Sequence, residues 1–330
     1  IKNLRDSSMD VVCLGEVLID MFPAEIGKSL VDVSSFYPTP GGAPANVSVA
    51  VSRLGSASAF IGKVGEDIFG HFLEDVLERE GVNTSGIRYD PQARTTLVFI
   101  AMPDEHSAEF VFYRNPGADM LLSPEDLNRE LLEGTSAFHF GSLSLVKEPS
   151  RSATMKAIEI ASAAGALISF DVNYRPTLWE SENEAYDRVL ATVPYVNLLK
   201  VNETELNLLA GSDDLETATD ALLDLGPDLC VVTIGAKGSY FSTKNDSEFI
   251  PGFEVETVDS IGCGDAFISG TLSQLVRGGA WRDKLNPADL RNVLRYANAV
   301  GALTALTQGV IPALPRAHQV DEFLNQKMER

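Results

Sequence analysis

Short runs of branched apolar residues recur along the chain, and most of the gaps between them are long enough for a helix. Six such runs predict strands, at residues 11–14, 59–64, 137–140, 167–170, 196–199 and 229–233. Apolar runs without polar alternation are typical of strands buried on both faces of a sheet. Helical repeats lie between them, as at Val47, Ala50, Val51 and Leu54. This alternation predicts an α/β fold of three layers, α/β/α, around a mainly parallel central sheet.

A second, smaller β-sheet is predicted where the alternation is interrupted. We expect its strands at residues 17–22, 31–37, 95–101 and 110–113. The last two flank the polar loop 103–107, and this pattern is the signature of an antiparallel hairpin. A sheet made of about residues 17–37 and 94–114 would act as a lid, which can exclude water from a cleft.

The rest of the chain predicts one domain. Residues 9–330 contain no linker, internal repeat or low-complexity stretch, so we expect them to fold as a single unit. Residues 1–8 have no apolar pattern and precede Met9, and we expect them to be a leftover expression tail.

Composition and charge narrow the classes of function. Carboxylates outnumber basic residues 47 to 26, and the net charge of −21 repels nucleic acid and anionic membranes. No apolar stretch approaches the roughly 20 residues that span a bilayer, and the N-terminus has no signal-peptide layout. The three cysteines have neither metal nor disulfide spacing. We therefore expect a cytoplasmic protein whose ligands are small molecules.

The glycine-rich segment 259–265 carries the strongest chemical signal. A helical repeat follows it, so Gly262, Cys263 and Gly264 are expected to leave backbone N–H groups bare at a helix N-terminus. Such a terminus can stabilise negative charge on a phosphoryl group. Asp265 lies beside it and is well placed to accept the proton of an attacking hydroxyl. A plain glycine turn with Asp265 as a helix cap is the competing structural interpretation.

Two other nucleotide-binding motifs are excluded. Gly27-Lys28-Ser29 matches the end of a P-loop, but Phe22 stands where the first glycine is required. The dinucleotide pattern fails at Phe267, which occupies the position of the third glycine or alanine. The sequence therefore argues against both a P-loop enzyme and an NAD enzyme.

Segment 259–265 resembles the second signature of the ribokinase-like carbohydrate kinases, of the phosphofructokinase-B type, which reads Asp-Thr-x-Gly-Ala-Gly-Asp. Ser260 replaces the threonine and Cys263 the alanine, and both exchanges are small. The other family signature is matched at residues 41–46, and the resemblance runs from about residue 11 to residue 315. It implies that Asp265 is the catalytic base and that residues 262–264 form the anion hole. The Cys263 thiol is expected to make the site sensitive to thiol reagents.

The resemblance also implies where the ligands bind. On the sugar side it implies Asp20, Gly41, Gly42, Asn46, Arg114, Asn173 and Arg175. Around the nucleotide it implies Asn202, Thr233, Gly235, Gly238, Asn298 and Gly301. Glu205, in the family's Asn-x-x-Glu motif, would hold Mg²⁺ largely through water. Structural alternatives stay open: a capping box for Asn202 and Glu205, an ordinary hairpin for 233–238, and helix packing for Asn298.

Within the family, segments 112–122, 138–145 and 171–176 look most like fructokinases of plants and bacteria. The implied reaction is transfer of a phosphoryl group from ATP to the 6-hydroxyl of D-fructose. Asp171, Asn173 and Arg175 form a motif shared with kinases of 2-keto-3-deoxygluconate, which is the alternative substrate. A catalytically silent fructokinase-like binding protein is the alternative from another class. His139 is expected to be a core histidine without chemistry.

Two further expectations concern an ion and the assembly. Asp259 is expected to be structural and to shape a site for K⁺ beside the glycine loop. The lid strands would leave an unpaired edge, and such edges are normally covered. We therefore expect a homodimer that forms through the lids.

Overall fold

The computed structural model describes residues 8–104 and 109–328, so the expected tail lies, apart from Ser8, outside the described residues. Part of the loop 103–107 lies outside them as well. The strands are Val11–Leu14 (β1), Leu18–Pro23 (β2), Phe36–Gly41 (β3), Ser58–Gly65 (β4), Asn83–Asp90 (β5), Leu97–Ala101 (β6), Glu109–Tyr113 (β7), Ala137–Gly141 (β8), Leu167–Asp171 (β9), Leu198–Asn202 (β10), Leu229–Thr233 (β11), Gly238–Ser242 (β12) and Ser247–Pro251 (β13). The helices are Ala43–Arg53 (α1), Ile68–Arg79 (α2), Arg129–Glu133 (α3), Ser150–Ala163 (α4), Glu182–Thr192 (α5), Glu203–Ala210 (α6), Leu215–Leu223 (α7), Cys263–Val276 (α8), Pro287–Thr304 (α9) and Ala317–Met328 (α10).

The central sheet has nine strands in the order β13-β12-β11-β10-β9-β8-β1-β4-β5. Neighbours from β11 to β5 run parallel, whereas β12 and β13 are antiparallel at one edge. The predicted α/β fold with a mainly parallel sheet is confirmed. The strand predicted at 196–199 begins later, at Leu198, because Val196 ends a short 3₁₀ turn over Val193–Tyr195.

Each face of the central sheet has its own apolar core. In β1, Val11 and Cys13 face one core, while Val12 and Leu14 face the other. The first core packs against α1, α8 and α9, and the second against α4, α6 and α7. All four side chains of β1 are fully buried, which is why this strand has no polar alternation.

The second sheet has the order β3-β2-β6-β7, and β6 and β7 form the predicted antiparallel hairpin. The strand expected at 31–37 begins later, at Phe36. Pro38 and Pro40 are tolerated in β3 because it is an edge strand, where alternate N–H groups need no partner. Since β3 ends at Gly41 and α1 begins at Ala43, the lid leads directly into the first glycine signature.

Helices α1 and α8 carry the two signatures and lie against each other. Ser269 Oγ of α8 is 3.4 Å from the carbonyl oxygen of Val47 in α1. Each helix follows a glycine in the left-handed region, with φ of +105° at Gly42 and +80° at Gly262. In the part of the chain that the structure describes, no helix has the length and hydropathy needed to cross a membrane.

Candidate active site

A cavity of about 1140 Å³ lies where the lid meets the carboxyl ends of the parallel strands. Asp171, Asn202 and Thr233, which end β9, β10 and β11, form part of its wall. The lid closes one side with apolar side chains from β2, β6 and β7. The two signatures reach the cavity at Gly42 and Gly264. In open α/β sheets, ligands bind at this edge of the strands.

Asp265 and Asn46 join the two signatures inside this cavity. Asn46 Nδ2 donates a hydrogen bond of 2.8 Å to Asp265 Oδ2, although the residues lie 219 positions apart. Asp265 is 9% exposed, and burial raises its pKa to about 6, against the opposing effect of the Asn46 hydrogen bond. Such a carboxylate is ionised at neutral pH and still basic enough to accept a proton. No side chain caps α8, so the alternative role of Asp265 as a helix cap has no support.

The start of α8 presents bare backbone donors, with one difference from the prediction. The N–H of Cys263 donates to the carbonyl oxygen of Ser260 at 3.3 Å. The N–H groups of Gly262, Gly264 and Asp265 donate to no acceptor within residues 8–104 and 109–328. The bare N–H groups at this helix start are therefore those of Gly262, Gly264 and Asp265, and binding of an anion by residues 262–264 stays a prediction.

Asp20 lines the cavity on the side of the lid, and Gly41, which is not among the lining residues, lies directly beside it. A Cβ at position 41 would lie 2.0 Å from Asp20 Oδ2, so the carboxylate can occupy this place only beside a glycine. Burial and the charge of Asp265 raise the pKa of Asp20 to about 7, while Arg175 lowers it. Asp20, Asp265 and Arg175 therefore lie near enough to influence each other's charge, and all three line the cavity.

Glu16 supports the turn into α1. Its Oε1 accepts the N–H of Ala43 at 3.0 Å, and a Cβ at Gly42 would lie 2.5 Å from its carbonyl oxygen. Burial raises the pKa of the Glu16 carboxyl to about 7. The sequence carried no local signal that Glu16 is buried.

Arg114 forms a buried ion pair with Asp119. Its Nε and Nη2 bond Asp119 Oδ2 at 2.7 and 2.6 Å, and Nη2 also donates to Leu143 O at 3.3 Å. Arg114 is not among the residues that line the large cavity. Asp119 thus engages Nε and Nη2 of this arginine, and its contact with the sugar stays a prediction.

Lys200 is a site residue that the sequence analysis missed. Its Nζ lies 3.0 Å from each carboxylate oxygen of Asp171, and the side chain is almost fully buried. Burial lowers the pKa of Lys200, but Asp171, Glu205 and Asp265 outweigh this effect and raise it. A Cβ at Gly264 would lie 3.2 Å from Nζ, so the ammonium group stands beside the anion site. A lysine within a buried strand was the available signal, since lysine is rarely buried unpaired.

Segment 171–175 reaches the cavity in an unusual backbone shape. Asn173 has φ of +40°, and it is the one residue other than glycine with positive φ in the described part of the chain. Arg175 lines the cavity and does not pair with Asp171, which is engaged by Lys200. Asn173 and Arg175 thus both line the cavity, and their contact with the sugar stays a prediction.

Asn202 and Glu205 form the capping box that was the structural alternative for them. Asn202 Oδ1 accepts the N–H of Glu205 at 2.9 Å, and Glu205 Oε2 accepts the N–H of Asn202 at 2.8 Å. Glu205 Oε1 also accepts the N–H of Tyr174 at 2.8 Å. The described residues contain no group of three or more metal-ligating side chains. Since each Glu205 oxygen already accepts one hydrogen bond, the site fits a hydrated Mg²⁺ better than one bound by protein ligands alone.

The other residues predicted to bind the nucleotide line the same cavity. Thr233, Gly235, Gly238, Asn298 and Gly301 are all part of its wall. The turn uses positive φ at Gly235 and Gly238, +52° and +127°. Asn298 Nδ2 donates to the carbonyl oxygens at the end of β13, at 3.1 and 3.2 Å, so its amide also ties α9 to the sheet.

Three other predictions concern His139, Asp259 and Cys263. His139 is buried, bonds Ser169 Oγ at 3.0 Å, and has its pKa lowered to about 3 by burial, which confirms a core histidine. Asp259 accepts the N–H groups of Ile261 and Gly309 at 2.9 and 3.0 Å, as expected for a structural residue. Burial, Asp259 and Asp265 raise the pKa of the Cys263 thiol to about 12, which argues against the expected reactivity.

Comparison with known proteins shows which family the chain resembles over most of its length. The family model for pfkB family carbohydrate kinases matches residues 8–317. A probable fructokinase-4 of Arabidopsis thaliana is 44% identical over 315 residues, which cover 95% of this chain and 96% of that protein.

Solved structures agree with the sequence comparison. The fructokinase of Xylella fastidiosa with bound ATP superposes with a TM-score of 0.88 at 34% identity, over 96% of this chain and 98% of that one. A double mutant of the Vibrio cholerae O395 fructokinase, with fructose, ADP and potassium ion bound, superposes with a TM-score of 0.85 at 33% identity, over 96% and 99%. The similarity thus spans nearly the whole of each protein.

Proposed function

The chain belongs to the pfkB family of carbohydrate kinases, and we propose that it is a fructokinase that transfers the terminal phosphoryl group of ATP to the 6-hydroxyl of D-fructose. The observation that carries this proposal is the hydrogen bond of 2.8 Å between Asn46 and Asp265, beside bare N–H groups at the start of α8. A buried base next to an anion site is what phosphoryl transfer to an alcohol requires.

In the proposed reaction, Asp265 is the base. The hydroxyl oxygen attacks the γ-phosphorus of ATP while its proton passes to the Asp265 carboxylate, the bond from γ-phosphorus to the bridging oxygen breaks, and ADP leaves. The N–H groups of Gly262 and Gly264 hold the charge that develops on the transferred group. Lys200, beside Gly264, adds a fixed positive charge at the same place.

The sugar binds, in this proposal, at the end of the cleft under the lid. Asn46 Oδ1 is buried and accepts no hydrogen bond from the described residues, so a sugar hydroxyl would supply the missing donor. Asp20 accepts hydrogen bonds from other hydroxyls, and Asn173 and Arg175 close the site from the opposite segment. The absence of a side chain at Gly41 lets the Asp20 carboxylate keep its place beside the cavity.

Mg²⁺ supplies charge neutralisation at the phosphates when it is bound with ATP. Glu205 is the residue that we propose to hold it, through water. Asn202 keeps Glu205 in place through the capping box, and it lines the phosphate end of the cavity.

A panel of sugars in a coupled ATP-dependent assay tests the function. We expect phosphorylation of fructose with the highest kcat/KM. Preferential turnover of 2-keto-3-deoxygluconate would instead assign the acidic sugar, to which Arg175 would bind in a charge-assisted pair. Turnover of no sugar would favour the silent binding protein, against which the retained Asp265, Gly262, Gly264 and Lys200 argue.

We also propose a homodimer through the lids. Strands β3 and β7 are the edges of the lid sheet, and Tyr37, Val111 and Tyr113 on them are 62%, 46% and 64% exposed. Apolar side chains on unpaired edges form a surface that a second copy would cover. Light scattering should give a mass of twice 35.6 kDa, and a monomeric mass would refute the dimer.

We also propose a K⁺ site and a cytoplasmic location. Asp259 ties the glycine loop to Gly309, and we propose that this connection shapes a K⁺ site without a direct bond from its carboxylate. Equal activity in Na⁺ and K⁺ buffers would contradict the K⁺ site. The cytoplasm fits three cysteines that are free and unpaired.

A further inference from the structure

The Glu205 carboxylate joins two segments of the cleft that are distant in the chain. Oε1 accepts the N–H of Tyr174, which follows β9, and Oε2 accepts the N–H of Asn202, which ends β10, each at 2.8 Å. The residue is 2% exposed, so both bonds are shielded from water. Both donors are backbone N–H groups, so the carboxylate fixes the main chain at Tyr174 and Asn202.

The segment after β9 needs such support because its backbone is strained. Asn173 has φ of +40°, a conformation that side-chain-bearing residues rarely adopt unless neighbouring contacts hold them. On the N-terminal side of Asn173, Val172 N–H donates to the carbonyl oxygen of Lys200 at 3.1 Å. On its C-terminal side, the next backbone bond is the one from Tyr174 to Glu205. The strained residue is thus held at both of its neighbours.

This segment supplies the positive charge at the sugar end. Arg175 follows Tyr174 directly and lines the cavity. It lies near enough to Asp20 and Asp265 to lower the pKa of each carboxyl. The hydrogen bond from Tyr174 therefore connects Glu205 to Arg175, the next residue along the chain, although helix α6 lies at the proposed phosphate end.

We propose that Glu205 is a positioning residue for the sugar side of the cleft: by accepting the N–H groups of Tyr174 and Asn202, it holds segment 171–175 in the shape that presents Asn173 and Arg175 to the sugar. This inference deepens the proposed function and relies on it for the identity of the sugar. It is separate from any role of Glu205 toward Mg²⁺, because the two hydrogen bonds are made by the protein alone.

The first test needs no ligand. In Glu205→Gln one of the two oxygens becomes an NH₂ group, which cannot accept a hydrogen bond, and in Glu205→Asp the shorter side chain cannot reach both donors. Amide hydrogen exchange of the free protein should then be at least about tenfold faster at Tyr174 or at Asn202 in both variants, since one of these two N–H groups loses its acceptor. Unchanged protection at both Tyr174 and Asn202 would overturn the proposal.

The matched control is Glu203→Gln, in the same first turn of α6. Glu203 is exposed and accepts no hydrogen bond from the residues that the structure describes, so the variant removes the same charge without breaking a backbone contact. We expect its exchange at Tyr174 and Asn202 to equal that of the unaltered protein. Equal acceleration in Glu203→Gln and Glu205→Gln would mean that charge, and not the contact, protects the segment, and would overturn the proposal.

The second test separates positioning from metal binding. Calorimetry with fructose, in EDTA and without nucleotide, should show affinity about tenfold weaker in Glu205→Gln and Glu205→Asp, because loss of one buried hydrogen bond changes binding by about that factor. Fructose affinity that stays the same, with a shift only in the Mg²⁺ concentration needed for activity, would assign Glu205 to the metal alone and overturn the proposal.

The outcomes also distinguish this proposal from the proposed function. If the unaltered protein binds no fructose, the substrate assignment fails, while hydrogen exchange at Tyr174 and Asn202 still decides whether Glu205 holds the segment. If Glu205→Gln does not fold, Glu205→Asp, which keeps the charge and an acceptor for the capping box, gives the same readouts.

Discussion

In the proposed function, the two ends of the cleft recognise their ligands by different means. At the phosphate end, the donors are backbone N–H groups of one helix start, at Gly262, Gly264 and Asp265. At the sugar end, the groups are side chains that come from separate elements, such as Asp20 of β2 and Asn46 of α1. A phosphate site can therefore be built from one local segment, whereas the sugar site exists only after the lid, α1 and the segment after β9 have come together.

Both ends of the cleft contain a buried carboxyl group with a raised pKa. Asp265 and Asp20 have pKa values raised to about 6 and about 7, chiefly by burial. A carboxyl whose pKa is raised by folding stabilises the protein when it is protonated, and that contribution is lost as the pH rises through the folded-state pKa. Both residues are thus expected to lower stability above about pH 7, where their charge serves the proposed reaction.

The strongest test of the comparison is Asp265→Asn, which removes the proposed base and keeps an oxygen that can accept the Asn46 hydrogen bond. We expect kcat to fall by about 10²–10⁴, because proton transfer by a positioned base contributes this much, while fructose affinity changes little. At pH 8 the free energy of unfolding of the variant should also be higher, by on the order of 1 kcal/mol, because a buried charge is gone. Near-normal turnover would remove Asp265 from the mechanism.

Gly262→Ala should damage only the phosphate end. The new Cβ would lie 2.4 Å from Val310 Cγ1 and would require alanine at φ of +80°, so the backbone donors must move. We expect kcat to fall by about 10², the effect of losing one donor of an anion site, with the fructose dissociation constant within about threefold. Steady-state kinetics and a fructose titration of the same variant measure both quantities.

Gly41→Ala is the matched change at the sugar end. Its Cβ would lie 2.0 Å from Asp20 Oδ2 and would displace that carboxylate. We expect the KM for fructose to rise about tenfold, the effect of losing one hydrogen bond to a charged group, while the KM for ATP stays within about twofold. A larger effect on ATP than on fructose would contradict the division of the cleft into two ends.

The pH dependence of kcat reports the ionisation of Asp265 at the proposed phosphate end. Asp265 must be ionised to accept a proton, so kcat should fall below about pH 6, by roughly tenfold for each further pH unit. The profile is measured between pH 5 and 8 at saturating fructose, with circular dichroism at each pH to exclude unfolding. A kcat that stays constant down to about pH 5 would show that no group with this pKa controls the step.

The smallest effect is expected for Cys263→Ala. The side chain lies at the start of α8, and its N–H donates to Ser260 and not into the anion site. We expect kcat to stay within about twofold of that of the unaltered protein. Alkylation by iodoacetamide at pH 7 should be slow and should accelerate as the pH rises, because the pKa of the thiol is raised to about 12. Rapid inactivation at pH 7 would contradict this.

The sequence by itself determined six of the nine strands of the central sheet, the alternation of strand and helix, and the glycine-rich helix start beside Asp265. These features are local, because buried parallel strands need uninterrupted apolar runs and a helix start needs only a few consecutive residues to expose its N–H groups. For the same reason the start of β3 was misplaced: pairing with β2 and not local composition sets where that strand begins.

Only the tertiary structure decided which charged groups meet. The contact of Asn46 with Asp265 spans 219 positions, Lys200 reaches Asp171 from the neighbouring strand, and Asp119 takes the donors of Arg114. A sequence shows that such groups exist but contains no distances between them. Burial and packing select the partners, because a charge removed from water must find a hydrogen-bonded partner within a few ångströms.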